Sequence, residues 1–197
     1  AESFRETSSG RDFRNELGLD AECFLVCFVG RLIPEKGIRA ILEASRSHRL
    51  VEAGVVFVLA GDGALSNEVN DAQGESLRWV GRLSSSDISS LLQQSDLLCL
   101  PTRSEGFATT LLEASSCGCP SVVTDVGGAR ELFPNEHFGT IIDSMDSSDV
   151  ERAIFALVKD PDRLAEQSRL CRRMVENESS WDKTASLVEK VLSGTKR

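Results

Sequence analysis

The chain has 197 residues, 41% of them hydrophobic and 27% charged, a balance that supports one packed core of ordinary domain size. Its 22 basic and 31 acidic residues leave a net charge of −9 with no basic stripe, which argues against nucleic acid as a partner. No apolar run approaches the roughly 18 residues of a membrane-spanning helix, and the start Ala1-Glu2-Ser3-Phe4-Arg5 lacks the basic-then-apolar order of a secretory leader. The chain does not open with Met and reads as a segment of something longer.

Residues 1–22 are polar and read as a linker or flanking helix that ends at Leu17-Gly18, with Gly18 as a C-terminal cap. Residues 23–29 form a short continuous apolar run, the pattern of a strand buried on both faces of a parallel sheet. A loop over Gly30–Gly37 leads into an amphipathic helix expected over Ile38–His48. The alternation then repeats, with strands at 55–60, 77–80, 96–100, 121–124 and 139–142. Helices fill the gaps, one after Gly63, one over Ser84–Gln94 and one over Gly106–Ser116. Ser84 with Asp87 three places on is an acidic variant of the capping box. From Asp146 the chain turns helical. Asp160-Pro161 opens a further helix, with Asp as cap and Pro as first residue, and Trp181–Leu192 closes the chain. Strands alternating with helices at this spacing mean right-handed βαβ units, hence an α/β fold with a doubly wound parallel sheet. The domain organisation expected is 1–22 as linker, 23–160 as a Rossmann-like domain and 161–197 as C-terminal helices.

Ligands of such sheets bind at the carboxyl ends of the strands, so the loops after the strands carry the chemistry. Arg31 and Lys36 sit in the Gly30–Gly37 loop, a planar donor fork and a point charge in front of a helix start, suited to phosphate oxygens. An exposed turn with surface charges explains the same residues. Gly61-Asp62-Gly63 is an incomplete dinucleotide fingerprint, and its glycines would let backbone come close to a ligand. Glu105 stands at the entrance of the helix after the fourth long strand and Glu113 inside it. Eight helical steps separate them by about 12 Å along the axis, so the two carboxylates could grip both ends of an elongated polyhydroxylated anion. Helix-dipole compensation and a solvated face are the simpler explanations. Gly127-Gly128 with Arg130 reads equally well as a structural turn or a ligand contact. Cys23, Cys27 and Cys99 lie in apolar runs and behave as small hydrophobes. Cys117-Gly118-Cys119 is too tight for an ordinary metal pair, so reduced thiols and no metal are expected.

Taken together, Gly30-Arg31…Lys36-Gly37, Gly61-Asp62-Gly63, Val80-Gly81-Arg82-Leu83, Pro101…Glu105-Gly106-Phe107…Glu113-Ala114…Gly118-Cys119-Pro120 and Gly127-Gly128…Glu131 resemble, in order and spacing, family 4 of the retaining glycosyltransferases. The resemblance runs from about residue 23 to 142 and implies the C-terminal domain of the GT-B architecture. By that likeness Arg31 and Lys36 would bind the donor diphosphate, Glu105 would face the transferred sugar and Glu113 would hold the ribose. Gly106, Phe107 and Ala108 would offer backbone N–H groups, Gly61 and Gly63 would line the donor site, and Arg82 and Leu83 would lie beside the base. The partner implied is a nucleotide diphosphate sugar. The family needs no metal or other cofactor, and Asp160-Pro161-Asp162, despite its Asp-x-Asp spelling, is explained by helix capping. Ala108 departs from the family's usual Gly, which would tighten the sugar pocket. The acceptor site belongs to an N-terminal domain for which this chain has no room, and a cytoplasmic setting at the inner face of a membrane is expected, with peripheral membrane contact through the missing half. A nucleotide-sugar epimerase half and a non-catalytic nucleotide- or NAD-binding module remain as alternatives.

Overall fold

Runs of β-branched and aromatic residues with no polar member pair most favourably when both faces of the sheet are covered. In the computed structural model, which describes residues 2–104 and 109–178, the strands are β1 (Phe24–Val29), β2 (Val55–Ala60), β3 (Leu77–Trp79), β4 (Leu97–Leu100), β5 (Ser121–Thr124) and β6 (Thr140–Ile142), of which β1, β2 and β4 carry no polar side chain. They form one all-parallel sheet in the order β3-β2-β1-β4-β5-β6. Each strand lies within one residue of its sequence-based bounds. Leu25 through Phe28 and Phe57 through Ala60 are almost wholly shielded from solvent, as a sheet sandwiched between helices requires.

The helices are α1 (Glu2–Glu6), α2 (Phe13–Glu16), α3 (Ile38–Ala44), α4 (His48–Glu52), α5 (Ser66–Asp71), α6 (Ser85–Gln94), α7 (Thr109–Cys117), α8 (Ala129–Leu132), α9 (Ser147–Val158) and α10 (Pro161–Glu178). The capping arguments hold where they were specific. Ser84 Oγ accepts from Asp87 N at 3.2 Å and donates to the Asp87 carboxylate at 2.9 Å. Asp160 Oδ1 accepts from Arg163 N at 3.0 Å to open α10. The single helix expected over 38–48 is instead two. Ser45 Oγ turns back to Leu42 O at 2.9 Å, Arg46 N bonds Glu43 O and Ser47 N bonds Ala44 O, so the chain tightens and α4 starts afresh. The helix expected over Trp181–Leu192 lies outside the described residues.

The chain on either side of the six strands is built into the body. In the polar start, Phe13 is fully buried, and Arg14 donates to Asp96 Oδ2 at 2.9 Å and to Cys23 O at 3.0 Å. Asp96 Oδ2 also accepts from Leu25 N at 2.8 Å, so this segment is tied to the N-terminal ends of β1 and β4. Gly18, with φ +60°, ends α2 as the cap reading requires. The α10 helix packs on α7 and α9. Cys171 and Val175 are buried, Ser168 Oγ donates to Gly118 O at 2.6 Å, and Gln167 Nε2 donates to Glu136 O at 2.7 Å. All six thiols are free, five buried and Cys117 partly so. Burial pushes the Cys99 thiol far up and the Cys171 thiol to about 12, so both stay protonated.

Candidate functional site

The strand order reverses between β1 and β4, and the loops leaving the carboxyl ends of β1, β2, β3 and β4 meet there. On the β2 side, a cavity of about 430 Å³ opens between Val29 and Gly30 of the first loop, Gly61-Asp62-Gly63 of the second, Arg82 and Leu83 of the third, and Ile88 of α6. Its floor is apolar (Val29, Ala60, Leu83, Ile88) and two guanidinium groups, Arg31 and Arg82, stand at its edge. Both are exposed, and among the described residues neither comes within ion-pair distance of a carboxylate. In a chain of net charge −9, this is a local concentration of positive potential over an apolar slot. It suits a flat ring system carrying an anionic tail.

Backbone-to-backbone contacts hold the walls. Leu32 N donates to Asp62 O at 3.0 Å, Leu65 N to Leu32 O at 2.9 Å and Gly61 N to Gly81 O at 2.7 Å. The Trp79 indole N–H reaches Gly61 O at 2.9 Å. A Cβ on Gly61 would stand 1.8 Å from Gly30 O, and one on Gly63 2.5 Å from Leu32 O. The two glycines do line the cavity, yet the close approach that demands them is to the neighbouring loop rather than to a ligand. The Asp62 carboxylate is held below the usual carboxylate range by the hydroxyl of Ser66 and the N–H of Gly63, with Arg82 assisting.

On the β4 side, the loop carrying Arg31 and Lys36 is locked to the segment that precedes Glu105. Lys36 ends a 3-10 turn (Pro34–Lys36), and Gly37 follows with φ +69°. A Cβ on Gly37 would stand 2.1 Å from Pro101 O. Glu35 O accepts from Arg103 N at 2.8 Å and from Thr102 Oγ1 at 3.1 Å. Lys36 does not line the cavity described above. Glu105, Gly106, Phe107 and Ala108 lie outside the described residues. Glu113 is on α7, half-buried, and no hydrogen bond or ion pair engages its side chain among the described residues. Burial pushes its carboxyl above the usual range.

The structure thus gathers five sequence-derived candidates, Arg31, Gly61, Gly63, Arg82 and Leu83, around one cavity. It adds Asp62 and Ile88, which the sequence reading passed over. Asp62 carried a signal in standing between the two glycines. Ile88, one turn into α6, looked like any other apolar helix position. Arg130 answers the question its loop left open. Its guanidinium binds Asp125 Oδ2 at 2.8 and 2.7 Å, closing the Gly127-Gly128 turn on itself.

Comparison with known proteins supplies the family and the fold. The profile of the family Glycosyl transferases group 1 matches residues 10–181. A UDP-Gal:alpha-D-GlcNAc-diphosphoundecaprenol alpha-1,3-galactosyltransferase of Escherichia coli is 33% identical over 170 residues, covering 82% of this chain and 43% of its own length. A D-inositol 3-phosphate glycosyltransferase of Gordonia bronchialis is 30% identical over 198 residues, covering 93% of the chain and 42% of its own length. The chain therefore spans less than half the length of these relatives. Among solved structures, Anabaena HepE in complex with UDP-glucose superposes with a TM-score of 0.76 at 22% identity, over 98% of this chain and 53% of that one. The C-terminal domain of a glycosyl transferase group 1 protein from Francisella tularensis superposes with a TM-score of 0.74 at 17% identity, over 92% of this chain and 95% of that one.

Proposed function

The chain belongs to the family Glycosyl transferases group 1, and from that membership we propose that it is the donor-binding half of a retaining glycosyltransferase. The whole protein would move a sugar from a nucleotide diphosphate sugar to an acceptor hydroxyl in polysaccharide, lipopolysaccharide or glycolipid synthesis. The observation that carries this reading is the apolar strand-end cavity with Arg31 and Arg82 at its edge, set in an acidic chain. A base enters against Leu83 and Ile88, and the diphosphate runs past Arg31 toward Lys36 and the start of α7.

The roles are those that the likeness to the family implies. Arg31 and Lys36 neutralise the diphosphate and stabilise the charge it gains as the glycosidic bond breaks. Glu113 accepts from the ribose hydroxyls. Glu105 faces the transferred sugar, and the N–H groups of Gly106, Phe107 and Ala108 hold sugar and phosphate. With two fixed cations and a helix start beside the phosphates, no metal is required. The leaving phosphate takes the proton of the acceptor hydroxyl on the same face, which retains configuration. The acceptor is held by a second domain, and the reaction takes place on the cytoplasmic side of a membrane.

Calorimetry on the full-length protein with UDP-glucose, GDP-mannose and ADP-glucose tests this directly. UDP-glucose is the first probe because HepE, alike in fold, was solved with it. One of the three should bind, and no binding even at millimolar ligand would remove the proposal. Glu113→Ala should weaken binding of the nucleoside diphosphate itself by about 10- to 100-fold, the loss of hydrogen bonds to a charged group. Glu105→Ala should weaken the sugar nucleotide more than the diphosphate. Equal affinities for wild type and both variants would take the two carboxylates out of the site.

A further inference from the structure

Thr102 is almost fully buried, at 5% exposure, yet it is polar and sits in a loop. Its hydroxyl lies 3.1 Å from Glu35 O and 3.0 Å from Ser104 O, and its own carbonyl accepts from Thr124 Oγ1. Glu35 is the chain neighbour of Lys36, and Ser104 is the chain neighbour of Glu105. Thr124 is the last residue of β5 and is itself buried, at 4% exposure. One threonine therefore joins the backbone beside the proposed phosphate-binding cation to the backbone beside the proposed sugar-facing carboxylate, and a second threonine anchors it to the next strand. Arg103 N, 2.8 Å from Glu35 O, runs parallel to this link and belongs to the same loop.

We infer that Thr102 is a positioning residue, whose hydroxyl sets the separation between the diphosphate site and the sugar site, with Thr124 holding it in place. This rests on the donor-site reading above. A diphosphate sugar has a fixed covalent length from phosphate to sugar ring, so two half-sites bind it together only when their spacing matches. Neither half-site needs the link to bind its own part of the ligand. Removing the hydroxyl should cost the whole donor more than the diphosphate alone, because orientation rather than contact is lost.

The test uses the full-length protein and the nucleotide sugar among UDP-glucose, GDP-mannose and ADP-glucose that wild type binds. Thr102→Val keeps the shape and removes the donor, whereas Thr102→Ser keeps the donor and trims a methyl. Thr102→Val should bind the nucleoside diphosphate within about threefold of wild type, bind the sugar nucleotide about tenfold more weakly, and lower kcat about tenfold or more. Thr102→Ser should restore both. Thr124→Val should shift the same ratio in the same direction by less. A thermal melt of each variant separates misfolding from misalignment, since partial unfolding lowers binding of both ligands equally. The inference is overturned if Thr102→Val leaves the ratio of the two affinities unchanged, or if Thr102→Ser is as impaired as Thr102→Val. If wild type binds none of the three sugar nucleotides, the donor-site reading has failed and this inference falls with it.

Discussion

Glu113 shows how a single side chain can carry a recognisable electrostatic state before any ligand arrives. Its carboxyl sits half-buried without a hydrogen-bond donor among the described residues, and desolvation raises its pKa. An acid with a raised folded-state value stabilises the fold while protonated. That contribution is present at low pH and is lost as pH rises from the ordinary carboxylate range through the raised value. A ribose hydroxyl donating to it stabilises the charged form, so nucleotide affinity should rise with pH across the same window. Calorimetric titrations at stepped pH should show that rise in wild type and not in Glu113→Gln, and a wild-type affinity that falls over the window would contradict a ribose contact. The buried thiols make a contrasting case. Cys99 and Cys171 are shifted up chiefly by burial, do not line the strand-end cavity, and perform packing.

Elements matter here through the loops they deliver to one rim. The β2 loop is pressed against the β1 loop at Gly61, which adopts φ +138° with Gly30 O where a Cβ would go. Gly61→Ala must distort one loop or the other. It should destabilise the chain by about 3 kcal/mol in urea unfolding, from overpacking and backbone strain together. Because Gly30 adjoins Arg31, the same substitution should weaken nucleotide binding more than the stability loss explains. An alanine variant with wild-type stability would show that the loops separate freely. Serine-rich stretches shape the elements as well. The break between α3 and α4 comes where Ser45 Oγ bonds Leu42 O and Ser47 turns extended ahead of α4, a competition the apolar periodicity of 38–48 does not register.

At the scale of the molecule, the N-terminal ends of the strands are closed off by the segment that precedes β1. Phe13 fills the core, and Arg14 with Asp96 links the incoming chain to the N-terminal ends of β1 and β4. Phe13→Ala should cost about 3 to 5 kcal/mol, the range for emptying a buried aromatic site, read as a lowered urea midpoint. A loss below about 1 kcal/mol, that of a surface position, would return residues 1–22 to the status of a linker. The α10 helix packs on α9 and α7, with Gln167 Nε2 donating to Glu136 O and Ser168 Oγ to Gly118 O, so the fold extends past its last strand by packed helices.

The sheet was legible from the residues alone, since strands buried on both faces, as β1, β2 and β4 are, read as continuous apolar runs and their helices must be amphipathic, leaving a pattern that survives without coordinates. The candidate site was legible as a set of loops, because an α/β sheet takes its ligands at the carboxyl ends of its strands and the glycines and fixed charges follow those ends. Tertiary structure decided which of those residues share a cavity, why Gly61 and Gly63 are glycine, and that Arg130 closes a turn with Asp125. It also placed Phe13 in the core and the Thr102 hydroxyl between Glu35 O and Ser104 O. These depend on atoms brought together from chain positions far apart, Thr102 with Glu35 and Phe13 with a core built mostly from later segments, and no local pattern encodes a contact of that kind.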